Sequence, residues 1–282
     1  MSRVYDALLR SQQERGQNTD LLDPEAFTAD VAEGPNETIV WDRVATFIPN
    51  HVAEARLVAL GNGNGLGAEK FRLLRSRLRH VREMTGAKRV VITSAIPQEG
   101  KTLIAANLAI SMAKHTAQKI LLLEGDLHQP ALGERVGLGG RAGIGDWARD
   151  GKAIEDCLYR AVGSQLWVLP AGFVQDHPLA ILQSARFLEL FRRLGEVFDW
   201  ILIDSPPLLP LADANFWSRQ SDGLLLVVRE GTTPRSLLQK GLEMLDSPTL
   251  LGIVMNDLHA VESNYYNRYY SHADHHEFTI QN

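Results

Sequence analysis

One stretch constrains the fold of this 282-residue chain more than any other. The apolar run Arg89–Ser94 passes directly into the loop Ala95-Ile-Pro-Gln-Glu-Gly100-Lys101-Thr102, and the loop into a helical pattern, LIAANLAISMAK. A strand, a tight turn and a helix in immediate succession are two-thirds of a βαβ unit, which needs a parallel strand to complete it. Further apolar runs meet that need at Lys119–Glu124, Leu166–Pro170, Trp200–Ser205, Gly223–Arg229 and Leu250–Asn256. Helical periodicity fills most gaps, as in Leu103–Lys114 and Leu179–Leu194. Strands that are nearly continuously apolar, alternating with helices, predict an α/β domain with a doubly wound, mostly parallel sheet flanked by helices on both faces. No internal repeat is present.

The loop has the form of a Walker A motif, with Ala95 at its first small position. Phosphate binding needs such a loop, because turned backbone N–H groups and the positive end of a helix both aim at phosphate oxygens. Gly100 lets the backbone come close, Lys101 reaches the β- and γ-phosphates, and the Thr102 hydroxyl binds Mg²⁺. A GKT tripeptide alone is weak; the strand before it and the helix after it make it specific for a P-loop NTPase. The expected nucleotide contacts are Ala95, Pro97, Gln98, Glu99, Gly100, Lys101, Thr102 and Leu103.

Two acidic strand ends lie where ligands bind in such sheets. Trp200-Ile-Leu-Ile-Asp204-Ser-Pro-Pro has Walker B form, with Asp204 expected to hold the metal. Lys119-Ile-Leu-Leu-Leu-Glu124-Gly-Asp126-Leu-His128 offers two acids spaced to straddle the same metal. Acids at strand ends also serve as caps and turn formers, but three such motifs in this order favour function. Asn256 ends LLGIVMN and carries an amide able to pair with a base edge, so it is expected near an adenine; a strand-end turn is the plainer alternative. Together these motifs predict binding of ATP with Mg²⁺.

Composition excludes other classes. The chain is 45% hydrophobic and 22% charged, ordinary globular usage. A single cysteine, Cys157, rules out an internal disulfide and a zinc-finger thiolate cluster. The formal net charge of −5 gives no basic field for nucleic acid. No apolar run approaches the ~20 residues of a membrane span, and MSRVYDALLRSQQERG lacks a signal-peptide core, so a cytoplasmic chain is expected. Residues 1–40 hold three basic and eight acidic residues, and GNGNGLG occupies 61–67. These predict a mobile acidic extension over 1–65, a P-loop domain over 66–262 and a tail over 263–282.

Taken together, Ala95–Thr102, Glu124–His128, Asp204–Pro207 and the stretches LADANFWSRQSDGLLLVVREGTT and LLGIVMN resemble one family. It is that of the bacterial tyrosine autokinases of capsule and exopolysaccharide export, in their cytoplasmic CpsD/CapB form. The resemblance covers about 66–272 and implies an ATP-dependent protein-tyrosine kinase. By this resemblance Lys101, Glu124, Asp126 and Asp204 are catalytic, and Thr102, Glu124 and Asp204 hold the metal. Glu69-Lys-Phe-Arg72-Leu-Leu-Arg75 fits the family's ExxRxxR element, which in relatives joins subunits into a ring. It lies on an expected helix with an apolar stripe of Phe71, Leu74, Leu78 and Val81; a solvated basic face, a phospholipid patch or a nucleic-acid patch are other readings of its charges.

Four of the six tyrosines fall in Tyr265-Tyr266-Asn-Arg-Tyr269-Tyr270, the implied phosphoacceptors for a neighbouring subunit; an aromatic anchor or edge strand is the alternative. His272, His275 and His276 beyond them suggest no metal site. The implied partner is a membrane-embedded polysaccharide chain-length regulator whose cytoplasmic end activates the kinase at the inner face of the plasma membrane.

Two positions depart from the family pattern: Glu124 stands for its first Asp and His128 for its Arg. The added methylene moves a carboxylate by ~1.5 Å, and misplacement by about 1 Å can cost around 10²-fold in rate. Metal and nucleotide binding are therefore expected to survive while phosphoryl transfer weakens. The rival functions are a catalytically weak nucleotide-binding regulator and a positioning ATPase of the Min/Par type. Against the latter, Ile96 stands where those proteins carry a second lysine.

Overall fold

Each of the six apolar runs forms a strand. The structure, a computed structural model, describes residues 39–61, 65–114, 116–175, 177–209, 213–245 and 249–257. Its strands are β1 (Ala45–Phe47), β2 (Arg89–Ser94), β3 (Ile120–Glu124), β4 (Tyr159–Ala161), β5 (Leu166–Leu169), β6 (Trp200–Asp204), β7 (Gly223–Arg229) and β8 (Leu250–Asn256). The helices that bear on the site are α1 (Leu66–Thr85), α2 (Lys101–Ala113) and α3 (Leu132–Val136), followed by α4 (Ile144–Asp150), α5 (Pro178–Gln183), α6 (Ala185–Val197), α7 (Asp213–Gln220) and α8 (Arg235–Glu243).

The strands form one sheet in the order β1-β4-β5-β3-β6-β2-β7-β8, parallel throughout except at β4–β5. The P-loop strand β2 lies between β6 and β7, and β3 lies on the far side of β6. Register sets Glu124 opposite Asp204, so the two acidic motifs meet at the same end of adjacent strands. One core cluster joins α2 through Ile104, Leu108 and Met112 to alternate strand residues such as Val90, Ile92, Ile120, Leu122 and Leu202. The other residues of the central strands, Leu121, Leu123, Ile201 and Ile203 among them, face the opposite side and are equally buried. This is the two-faced burial that continuous apolar strands require.

Two features differ from the sequence reading. Residues 39–61 are part of the folded unit rather than of an extension that ends at residue 65. β1 pairs with β4, and Ala55, Leu57 and Ala59 alternate into the core while Glu54, Arg56 and Val58 stay exposed. The Asn107 side chain accepts the Ala59 N–H at 2.9 Å, and Val136 C=O accepts the Asn50 N–H at 3.0 Å. The acidic charge of the predicted extension lies mostly before residue 39, and the apolar residues of 39–61 fall in runs too short to show a helix or strand period. The second difference is a break in the helix expected over Leu179–Leu194. Ser184 ends α5 and caps α6, accepting the Phe187 N–H on its Oγ at 3.2 Å. Residues 1–38 and the tail from 258, including Tyr265, Tyr266, Tyr269 and Tyr270, lie outside the described residues.

On α1 the expected stripe packs inward: Leu78 is buried, and Phe71 and Leu74 lie against the core. Glu69 pairs with Arg72, while Arg75 Nη1 donates to Ser111 C=O at 2.7 Å at the end of α2. Among the described residues no helix is long and apolar enough to cross a membrane.

The position of β1 gives a direct test. Phe47→Ala is expected to destabilise the protein by about 3 kcal/mol, whereas Ile48→Ala, at a side chain 72% exposed, is expected to change stability by less than about 0.5 kcal/mol. Urea denaturation of both variants decides whether this segment belongs to the core.

Candidate nucleotide site

The loop between β2 and α2 is tied to the sheet at several points. Glu99 is 1% exposed; its carboxylate accepts the Ile96 N–H at 2.9 Å and hydrogen-bonds the Thr233 hydroxyl beyond β7. Asn256, at the end of β8, donates from Nδ2 to Glu99 C=O at 2.9 Å. A Cβ at Gly100 would meet that same amide at 2.2 Å, so only glycine fits there, at a φ of +91°. Gln98 is also left-handed, at +65°, a strained choice for a non-glycine residue and one that turns the loop tightly. The first turn of α2 has no side-chain cap, so its N–H groups are left for a ligand.

Lys101 faces the acidic strand ends. Its Nζ lies 2.9 Å from Asp126 Oδ2 and 3.8 Å from Asp204 Oδ1. Asp204 is fully buried, and burial pushes its carboxyl up to about 7; Lys101 and the Thr102 hydroxyl oppose the shift, while Glu124 and Asp126 add to it. Its Oδ1 has no hydrogen-bond partner among the described residues. Glu124 is placed differently from the motif's implication. Its carboxylate accepts N–H groups from Leu132 at 2.5 Å and Ala171 at 2.9 Å, with Gly133 at 3.3 Å. Burial raises its pKa, and these backbone donors oppose the rise. The methylene added by glutamate lets the carboxylate reach the start of α3 and the segment after β5. Gly125 and Asp126 both donate backbone N–H groups to Asp204 C=O, at 2.8 and 3.0 Å, which holds the two acidic motifs together. Trp217 Nε1 donates to Gly125 C=O at 3.0 Å from α7.

A cavity of about 530 Å³ opens over the loop, lined by Gln98, Gly100, Lys101, Thr102, Leu103 and Asn256. The structure thus gathers these predicted contacts around one space. It adds residues absent from the expected contacts: Glu54 and Arg56 from the N-terminal segment, Arg135 from α3, and Arg229 and Asp257 around the end of β8. Their signal is purely tertiary. His128, in the Walker A′ stretch, sets Nε2 2.9 Å from Asp213 Oδ2 at the start of α7. Burial raises the Asp213 pKa and the histidine opposes this.

The residues fit a nucleoside triphosphate with Mg²⁺. The loop is glycine-pinched, the helix end is uncapped, and an unpartnered buried carboxylate oxygen stands beside the lysine. Among the described residues no three His, Cys, Asp or Glu gather as an all-protein metal cage. Mg²⁺ in phosphate sites is held by one or two protein groups together with the phosphates, so no such cage is required.

No protein-family model matches the chain. The chain is similar to the tyrosine-protein kinase YwqD of Bacillus subtilis (strain 168), at 30% identity over 205 residues, covering 72% of this chain and 86% of that protein. It is similar to the tyrosine-protein kinase CpsD of Streptococcus agalactiae serotype III (strain NEM316), at 29% identity, covering 63% of this chain and 78% of the relative. The tyrosine-protein kinase wzc of Salmonella typhimurium is matched at 27% identity over 73% of this chain but only 29% of its own length. Among solved structures, the chimerical protein CapA2B2 superposes with a TM-score of 0.68 at 25% identity, over 76% of this chain and 94% of that one. The VpsO kinase domain gives 0.59 at 29% identity, over 69% of this chain and all of the domain.

Two tests follow from the electrostatics. The folded-state pKa of Asp204, about 7, lies above its ordinary 3.8. The folded protein therefore holds an extra proton between those values and loses stability as pH rises through that window. Asp204→Asn is expected to lessen this decline and to raise nucleotide-free stability at pH 8 by on the order of 2 kcal/mol; an unchanged slope between pH 5 and 8 in thermal melts counts against it. His128→Ala leaves the buried Asp213 carboxyl without its imidazole partner and is expected to cost about 1–3 kcal/mol, while His128→Arg retains a partner. Urea denaturation of both variants reads the difference.

Proposed function

The chain belongs to the bacterial tyrosine-protein kinases, and from that premise we propose that it transfers the γ-phosphoryl group of ATP to tyrosines of its own C-terminal tail, between subunits. The observation that carries this reading is the Lys101 ammonium held among Asp126, Asp204 and the loop, beside an uncapped helix end. A phosphate chain seated on that helix end draws Lys101 onto its β- and γ-oxygens, away from the carboxylates. Asp126 is then free to take the phenolic proton of the incoming tyrosine. The tyrosine oxygen attacks the γ-phosphorus, the bond from that phosphorus to the β–γ bridging oxygen breaks, and ADP leaves. Thr102 and Asp204 are the groups that would hold Mg²⁺, which when bound neutralises charge on the phosphoryl oxygens. Glu124, by its backbone hydrogen bonds, organises the loop that carries Asp126. Asn256 serves as a strut of the phosphate loop whose remaining amide valence faces the base.

The acceptors on this reading are Tyr265, Tyr266, Tyr269 and Tyr270. Glu69, Arg72 and Arg75 join subunits into a ring that brings a neighbour's tail within reach. Added phosphate would be repelled by Asp126 and Asp204, releasing the tail and loosening the assembly. The partner is a membrane-embedded regulator of polysaccharide chain length, which recruits the kinase to the inner face of the membrane. A second reading, a nucleotide-binding regulator with weak transfer, is favoured by one observation: Glu124 uses its carboxylate on backbone amides.

Purified protein incubated with MgATP is expected to acquire phosphotyrosine in the tail, as read by mass spectrometry. Lys101→Ala is expected to lose both this modification and more than about tenfold in MgATP affinity, with the fold intact. Tight MgATP binding without tail phosphotyrosine favours the regulator. Unchanged nucleotide affinity in Lys101→Ala removes the reading altogether.

A further inference from the structure

The cavity over the phosphate loop is walled on one side by Glu54 and Arg56, in the segment 53–59 that no sequence motif marks. α2 itself holds that wall in place. Asn107, fully buried one turn beyond Leu103, accepts the Ala59 N–H on Oδ1 at 2.9 Å and donates from Nδ2 to Arg56 C=O at 3.1 Å. From the other flank, Arg135 Nη1 donates to Ala55 C=O at 3.2 Å. Between these clamps Arg56 takes a left-handed φ of +52°, unusual for an arginine, and lines the cavity with Lys101 and Thr102. A residue held in a sparsely populated conformation by hydrogen bonds on both sides is positioned by its surroundings.

The charge pattern indicates the purpose. Lys101 is paired with Asp126 and Asp204, and Arg229 is paired with Asp257 through two donors at 2.9 and 2.6 Å. The Arg56 guanidinium has no ion-pair partner among the described residues. Arg135, whose chain runs along the same wall, keeps a buried Nε without an acceptor. An anion in the cavity would answer both.

We propose that Arg56 is a nucleotide-binding residue, supplied from the N-terminal wall, that contacts the phosphate chain of the bound nucleotide from the side opposite the loop. The wall and α2 would then hold the ligand as one piece, because Asn107 joins them. This rests on the reading of Ala95–Thr102 as the nucleotide loop.

The test is displacement of a fluorescent ADP analogue by ADP and by adenosine, in the presence of Mg²⁺, for the wild type, Arg56→Ala, Arg56→Lys and Lys101→Ala. Loss of one charge-assisted contact is expected to weaken ADP binding by about tenfold in Arg56→Ala, with Arg56→Lys within about threefold of wild type. Adenosine, which lacks phosphates, is expected to bind both equally. ADP affinity in Arg56→Ala within about twofold of wild type, while Lys101→Ala binds poorly, overturns the role of Arg56 and leaves the loop reading standing. Equal losses for ADP and adenosine also overturn it, since they place Arg56 against the base or in the packing of the wall. Normal ADP binding by Lys101→Ala takes down the loop reading and this inference with it.

Discussion

Every feature of the site depends on how one ammonium offsets the carboxylates buried around it. Asp126 and Asp204 end neighbouring segments, and Glu124 lies opposite Asp204 in register, so three buried acids gather at one end of adjacent strands. Burying unpaired charge is costly, and each acid has a separate remedy. Glu124 is bound by backbone amides, Asp126 takes Lys101, and Asp204 is left partly unsatisfied with its carboxyl pushed up to about 7. The resting site is therefore a strained charge balance that favours any ligand bringing a cation to Asp204 and an anion to Lys101. A magnesium–nucleotide complex does both at once.

This balance clarifies the departures from the family pattern. Read along the sequence, a glutamate at position 124 suggests a displaced metal ligand. In three dimensions the longer side chain reaches the amides of Leu132 and Gly133 and that of Ala171, fastening α3 and the segment after β5 to the end of β3. The nearest carboxylate to Lys101 is that of Asp126. His128 likewise keeps a nitrogen partner against the Asp213 carboxyl, at 2.9 Å.

Much of the fold is legible in the sequence because its central strands are covered on both faces, leaving runs such as Ile120–Glu124 and Trp200–Asp204 with no polar interruption. The phosphate loop is legible because its chemistry is contiguous. What escapes is what depends on distant partners. β1 and β4 have three residues each, too short for a periodic signal, and β4 turns antiparallel to β5. Ser184 interrupts an apolar spacing that continues on either side of it. Arg56 and Arg135 reach the cavity only after residues tens of positions away have folded against them.

The bracing of the phosphate loop carries a consequence for biosynthesis. Its fastenings come from Thr233 and from Asn256, 134 and 157 residues beyond their partner Glu99. Contacts of such long range close late, since the intervening chain must be ordered first. On the ribosome the loop and α2 emerge well before β8 exists, and the loop lacks its Asn256 strut until that strand has been synthesised and has docked. Its finished geometry is thus a record that β8 has docked.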